Sequence, residues 1–228
     1  MNQSPARELV TSYLTLRKFI GILGIALPIV LMLGGWLVFH TGLRPSLSDY
    51  YHTGMRDVFV GILWAIGVFL VSYRGFDRRD DIAGNVACVF AIATAIFPEA
   101  TDGATHAQQV VGYVHFSSAA ALFLTLCYFS LRLFTLTNPD ATPTKGKIRR
   151  NRVYVVCGWV MLGCVVGIAA FKLWVGSEWV SSHRLVFWLE TIAVTSFGVS
   201  WLTKGEAFFR DEQTSDPGEL IATGTAGN

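Results

Sequence analysis

Six apolar runs constrain this chain more than any other feature of its sequence. They cover residues 18–39, 57–74, 82–98, 110–135, 153–175 and 184–203. Each run is about as long as the ~17–25 residues that a helix needs to cross the hydrocarbon core of a bilayer. Lipid cannot hydrogen-bond to the backbone, so such runs cross a membrane as helices. We therefore predict an all-α polytopic membrane protein, a bundle of six transmembrane helices.

Composition and length support a single membrane domain. Hydrophobic residues make up 52% of the 228 residues and charged residues 15%, whereas soluble domains have about 25% charged residues. We predict an N-terminal cytoplasmic segment at 1–17, a transmembrane domain at 18–203 and a disordered cytoplasmic tail at 204–228. The first run is longer than the ~7–15 apolar residues of a signal peptide, so we interpret it as a retained span.

The distribution of Lys and Arg predicts the orientation. With cytoplasmic termini, only four of the 18 Lys and Arg residues fall on the outer side: Arg44, Arg56, Lys172 and Arg184. Basic residues favour the cytoplasmic side of a membrane. The pattern predicts a multi-pass protein of the bacterial inner membrane with both termini inside. The net charge of +2 then reflects topology, and we expect no nucleic-acid partner.

A dense polar stretch between the first two spans is the strongest candidate for a binding site. We call residues 45–57 the polar loop; a simple connection between two spans requires none of this chemistry. A concentration of hydroxyl, carboxylate and imidazole groups is typical of a ligand site. If the loop is α-helical, positions 48 and 52 share one face. The candidate ligand-binding residues are Ser46, Ser48, Asp49, Tyr50, Tyr51, His52, Arg56 and Asp57.

Two ionisable residues lie inside apolar spans. At 1.5 Å per residue, His115 lies roughly 8 Å and Glu190 roughly 9 Å below the outer ends of their helices. A lone carboxylate is unfavourable in hydrocarbon, so we predict that these two residues pair beneath the polar loop. Both are candidate catalytic residues, with one of them as general base and a loop serine or water as nucleophile. Alternatively, His115 bonds between helices and Glu190 pairs with Arg56 or Arg184.

The histidines do not have the spacing of a metal site. All five of them, His40, His52, His106, His115 and His183, fall on the predicted outer side. No HxxxH, HxxH or HExxH pattern occurs on a span, although histidines are common ligands of transition metals. We predict no bound metal and no other cofactor.

Three of these features resemble those of a known family. Pro45-Ser46-Leu47-Ser48-Asp49 is similar to the Pro-x-Ile-Ser-Asp signature of the DRAM/Sfk-type six-span membrane proteins and their bacterial relatives of unknown function. A His in the outer part of span four and a Glu in span six match His115 and Glu190. The resemblance implies six helices, cytoplasmic termini, an outward pocket and a connection with lipids. A weaker similarity joins Ser48 and His52 to seven-span metal-dependent lipid hydrolases, but one span and their late His pair are missing.

These observations lead to three functional hypotheses. The first is a membrane protein that binds or acts on a lipid headgroup or small polar ligand in an outward-facing pocket, with membrane lipid as its partner. The second is a small proton-coupled transporter or channel, and the third is a structural or partner-binding subunit. Polar residues become sparse inward of Ser118, Thr125 and Thr195, which favours a blind pocket over a pore. The oligomeric state stays open.

Overall fold

The fold is helical throughout the part that the structure describes. The computed structural model describes residues 5–75, 77–101, 103–137, 142–174 and 183–209, and these contain α-helices and no strand. The all-α prediction is confirmed. In chain order the helices are α1 (Pro5–Phe39), α2 (Arg56–Ser72), α3 (Arg78–Ile96), α4 (His106–Tyr128), α5 (Lys145–Trp174) and α6 (Leu185–Lys204).

Four of these helices are long and apolar enough to cross a membrane. The membrane-length segments are Thr11–Phe39, His106–Leu133 (α4 with the π-helical turn that follows it), Lys145–Lys172 and Leu185–Lys204. Helix α2 is shorter, with 17 residues, and α3 begins with four charged residues in succession. The structure is therefore that of a membrane protein, and the count of six spans stays a prediction.

Two helices extend beyond the predicted spans. Helix α1 begins at Pro5, so the helix of the first span runs back through residues 5–17, and the predicted cytoplasmic position of that segment stays a prediction. Helix α5 begins at Lys145, where the Thr144 hydroxyl accepts the Lys147 N–H at 3.0 Å. Lys and Arg are good helix formers, so the basic flank at residues 145–152 prolongs α5. The predicted disordered tail lies outside the described residues from 210 onward.

Helices α2 and α3 form a tight hairpin. The Asp77 side chain accepts the Arg79 N–H at 2.7 Å and caps the start of α3. A Cβ atom added at Gly67 of α2 would lie 3.5 Å from the Cβ of Ala91. Small residues allow helices in a membrane to approach closely. This close approach buries one face of α3, which consists of Ala83, Ala87, Ala91 and Ala95.

Helices α1 and α6 cross at two glycines. A Cβ atom at Gly198 would lie 2.7 Å from the carbonyl oxygen of Gly21, and a Cβ atom at Gly21 would lie 2.7 Å from that of Gly198. Neither contact leaves room for a side chain. This crossing fixes α6, and with it Glu190, against the first helix.

The end of the bundle remote from the polar loop is closed by aromatic side chains. Phe129 and Trp201 are fully buried, and their ring centroids lie 5.5 Å apart. The turn Phe129–Leu133 after α4 is π-helical, with the Phe134 N–H donating to the Phe129 carbonyl at 2.8 Å. Tyr73 stacks edge-on against Trp201 at 5.0 Å. Any pocket reached from the polar loop therefore ends at this aromatic cluster.

Candidate functional site

The polar loop turns back into the bundle and rests on α6. Residues 46–50 are all buried, and Ser48–His52 form a 3₁₀ helix. The Pro45 carbonyl accepts the Phe187 N–H at 2.9 Å. The Leu47 N–H donates to Oε2 of Glu190 at 2.6 Å. This bond joins residues 143 positions apart in the sequence, so Glu190 fixes the loop over α6.

The Ser46 hydroxyl links the loop to the segment after α3. It donates to Oε1 of Glu99 at 2.6 Å and accepts the Asp49 N–H at 2.8 Å. The Asp49 carboxylate forms an ion pair with Arg44, with 2.6 Å between Nη2 and Oδ2. Burial raises the pKa of Glu99, while the Ser46 hydrogen bond and the nearby Lys172 oppose that rise. Glu99 is thus a carboxyl group held partly out of water at the edge of the loop.

Two carboxyl groups and one ammonium group lie near one another at the polar-loop end of the bundle. Lys172, near the end of α5, lies close enough to Glu99 and Glu190 to interact with both electrostatically. Its ammonium group is 3.3 Å from the centroid of the Phe116 ring. In the described part of the chain, no three His, Cys, Asp or Glu side chains are grouped as metal ligands.

His115 bonds to the end of α3 and not to Glu190. It is 2% exposed, and its Nδ1 lies 2.6 Å from the Phe97 carbonyl and 3.1 Å from the Thr94 carbonyl. Carbonyl oxygens only accept, so Nδ1 carries the proton. In a continued helix the N–H of residue 98 would donate to the Thr94 carbonyl, but Pro98 has no N–H. His115 supplies that missing donor.

The predicted pairing of His115 with Glu190 is therefore wrong. Within the described residues, no hydrogen bond or ion pair joins the two side chains, and each is bonded to backbone instead. The alternative of an interhelical hydrogen bond fits His115. Of the two alternative partners for Glu190, Arg56 instead donates from Nη2 to the Tyr51 hydroxyl at 2.6 Å. Arg184 forms no ion pair with Glu190 within the described residues. A catalytic role for His115 or Glu190 stays a prediction.

The remaining predicted site residues are dispersed. His52 is exposed, and its Nε2 lies 3.0 Å from the Glu99 carbonyl. A 3₁₀ helix has three residues per turn, so Ser48 faces inward and His52 does not share its face. Tyr51 and Arg56 stack at the rim, with 4.3 Å from guanidinium to ring centroid. Asp57 is exposed in the first turn of α2 and makes no hydrogen bond or ion pair with the described residues.

Tyr50 is the most deeply buried residue of the loop. It is 0% exposed, and its hydroxyl has no hydrogen-bond partner among the described residues. Burial raises its pKa, so the phenol is neutral at physiological pH. A Cβ atom at Gly35 would lie 2.9 Å from the Tyr50 ring. The glycine of α1 thus makes room for this side chain.

A cavity of about 60 Å³ lies below the loop. Polar groups line its upper end, through Ser48, Thr94 and Glu190. Its other walls are mainly apolar, formed by Leu27, Leu47, Phe59, Leu63, Ile66, Ala119, Leu122, Phe123, Leu126, Val194 and Phe197. The Thr94 hydroxyl is bonded to the Phe90 carbonyl at 2.8 Å, whereas the Ser48 hydroxyl makes no hydrogen bond in the described part of the chain. The space exceeds the ~10–15 Å³ that a single water molecule requires.

Three charged residues of this site did not appear among the predicted site residues: Arg44, Glu99 and Lys172. Glu99 and Lys172 come from the ends of two other helices, and only the assembled bundle brings them to the loop. A signal was present, because Arg44 and Lys172 are two of only four basic residues on the predicted outer side. A basic residue on that side is expected to pair with a carboxylate there, and Arg44 and Lys172 each had such a carboxylate available.

Comparison of the chain with protein-family models, with curated proteins and with solved structures gives no match. The resemblance to the DRAM/Sfk-type proteins therefore stays a prediction.

Proposed function

We propose that this chain is a six-span protein of the bacterial inner membrane, with both termini in the cytoplasm, that binds the headgroup of a membrane lipid in an outward-facing pocket. The four membrane-length helices support membrane insertion. The asymmetry of Lys and Arg supports the orientation. The family resemblance, with its connection to lipids, is consistent with both.

One observation carries the proposal: the cavity beneath the loop is polar at one end and apolar along its walls. Glu190 lines the polar end with a carboxylate that already accepts one backbone N–H. Ser48 contributes a hydroxyl with no hydrogen bond to the described residues. Such a division matches the tip of an amphiphile's polar group, for example a single hydroxyl or ammonium group, which is as much as a space of about 60 Å³ accepts. Glu99, which accepts the Ser46 hydroxyl at 2.6 Å, adds a second carboxyl acceptor at this end of the bundle.

The deeper part of the cavity favours binding over transport. Going inward along their helices, the lining residues are Ile66 on α2, Leu126 on α4 and Phe197 on α6. Beyond them lies the aromatic cluster around Trp201. A path for ions or protons needs polar groups or water along its length. These walls therefore form a blind pocket with an apolar base and not a transport path.

The binding proposal is tested by the lipids that the protein retains. The protein is purified in mild detergent, and the bound lipids are identified by mass spectrometry for the wild type, Glu190→Gln and Ser48→Ala. Asp57→Asn is the matched control, because it removes an exposed carboxylate at the same end of the bundle. A hydrogen bond to a charged group contributes ~1.5–3 kcal/mol. We therefore expect Glu190→Gln to lower retention of one headgroup class by about tenfold or more.

Equal lipid retention in all four proteins would overturn the binding proposal. Each variant is first checked for a single monodisperse peak and a thermal transition, so that a loss of lipid is not confused with unfolding. Ser48→Ala gives a second reading, because it removes only a hydroxyl and leaves the loop hydrogen bonds of Ser46 and Glu190 in place. We expect it to weaken retention in the same direction as Glu190→Gln.

The orientation is tested separately by cysteine labelling of intact cells. Lys145→Cys lies at the start of α5, on the predicted inner side, and Gly42→Cys lies in the exposed segment before the polar loop. A membrane-impermeant maleimide should label Gly42→Cys and spare Lys145→Cys until the cells are permeabilised. Labelling of Lys145→Cys in intact cells would show that the proposed topology is inverted.

A further inference from the structure

A groove of about 400 Å³ runs between α3 and α4 on the surface of the bundle. It lies toward the start of α3 and the end of α4, which is the end remote from the polar loop. Its base includes Ala83, which is 6% exposed. The small side chain at this position leaves the space open. The groove is lined by Arg79, Ile82, Ala83, Val86, Leu124, Thr125 and Tyr128.

The walls of the groove are apolar except at one end. Ile82 is 51% exposed and Leu124 is 50% exposed, so both face the surroundings of the bundle. The Thr125 hydroxyl is bonded to the Ala121 carbonyl of its own helix at 2.8 Å. Arg79 and the Tyr128 phenol are the remaining polar groups. The groove therefore offers a long apolar surface with one cation.

The guanidinium group of Arg79 has no counterion in the described part of the chain. Its backbone N–H is bonded to Asp77, but its side chain makes no hydrogen bond or ion pair there. The neighbouring Arg74, by contrast, pairs with Asp81 at 3.5 Å. In the proposed orientation Arg79 stands at the cytoplasmic surface of the membrane. A cation at that depth, above an apolar groove, is complementary to a single negative charge attached to a hydrocarbon chain.

We propose that this groove binds an anionic phospholipid of the inner leaflet, with its phosphate on Arg79 and an acyl chain along Ile82, Val86 and Leu124. The volume falls in the ~300–1,000 Å³ range of ligand sites. Basic pockets between helices on the cytoplasmic side bind anionic headgroups in other membrane proteins. The site lies at the opposite end of the bundle from the pocket under the polar loop. It rests on the proposed orientation but not on what that pocket binds.

Native mass spectrometry of the detergent-solubilised protein tests the headgroup contact. Dioleoylphosphatidylglycerol and dioleoylphosphatidylcholine are titrated against the wild type, Arg79→Gln and Arg78→Gln. Arg78 is the matched control, because it is an exposed arginine next to Arg79 that does not line the groove. We expect Arg79→Gln to weaken phosphatidylglycerol binding about tenfold, and Arg78→Gln to leave it within about twofold. Equal losses in both variants, or no preference for phosphatidylglycerol in the wild type, would overturn the proposal.

A second pair of variants tests the acyl-chain contact. Val86→Trp fills the groove, whereas Val89→Trp adds the same ring at a position on α3 that is 63% exposed and outside the groove. We expect Val86→Trp to abolish binding of both lipids at this site and Val89→Trp to retain it. Glycerol 3-phosphate, which has the phosphate but no chain, should not compete at millimolar concentration. Effective competition by glycerol 3-phosphate would identify a site for free phosphate and contradict a lipid groove.

Discussion

Ser46→Ala is the most informative single change at the candidate site. The hydroxyl of Ser46 joins the polar loop to Glu99, which lies 53 residues further along the chain, and it also satisfies the Asp49 N–H. The side chain is 4% exposed. Replacement by alanine removes one donor and one acceptor without adding volume. Any loss of stability therefore reports on these two hydrogen bonds.

The expected magnitude follows from the two partners. A hydrogen bond to a charged group contributes ~1.5–3 kcal/mol, and a buried N–H left without a partner costs ~1–3 kcal/mol. Glu99 is half-buried, so water replaces part of the first bond. We expect Ser46→Ala to lower the free energy of unfolding by about 2–4 kcal/mol. At ~2–4 °C per kcal/mol for a chain of this size, that is a fall in Tm of about 4–16 °C.

Thermal unfolding in detergent, followed by circular dichroism, measures this loss. Ser72→Ala is the control, because its exposed hydroxyl bonds only to the Val68 carbonyl of its own helix at 2.8 Å; we expect a change within ~0.5 kcal/mol. A double-mutant cycle with Glu99→Ala should give a coupling of at least ~1 kcal/mol. If Ser46→Ala and Ser72→Ala unfold alike, or the cycle shows no coupling, the reasoning about the loop is refuted.

Two further changes test the packing and the electrostatics. Gly198→Ala places a methyl group against the Gly21 carbonyl and should lower the free energy of unfolding by ~1–3 kcal/mol through overpacking. Gly61→Ala is the control, because a Cβ atom there has nothing within 4 Å, and it should stabilise the helix by ~0.5–1 kcal/mol. Equal melting temperatures of the two variants would contradict the close α1–α6 crossing. Burial raises the pKa of Glu99 above its ordinary value of 4.5. Its contribution to stability is therefore fully present below about pH 4.5 and is lost as the pH rises through the folded-state pKa. Glu99→Gln should flatten that part of the pH–stability profile, and an unchanged profile would show that Glu99 is well solvated.

The sequence by itself determined the helices and the approximate place of the site. Apolar runs of membrane length are a local property, because each helix satisfies its own backbone hydrogen bonds whatever its neighbours are. The polar loop and Glu190 were equally visible, since polar groups are unexpected beside or within such runs. The structure does bring Ser46, Ser48 and Asp49 over Glu190.

The tertiary structure alone decided which groups are partners. Counting residues along a helix gives the height of a side chain but not the direction in which it faces, and this is why His115 and Glu190 were wrongly paired. His115 faces the Phe97 carbonyl and the Thr94 carbonyl that Pro98 leaves without a donor, and Glu190 faces the Leu47 N–H, 143 residues away in sequence. Likewise, Glu99 and Lys172 come near the polar loop only because α3 and α5, which are separate in sequence, end at the same height in the bundle. Such contacts depend on how helices rotate and pack against one another, and no single segment of the chain encodes that.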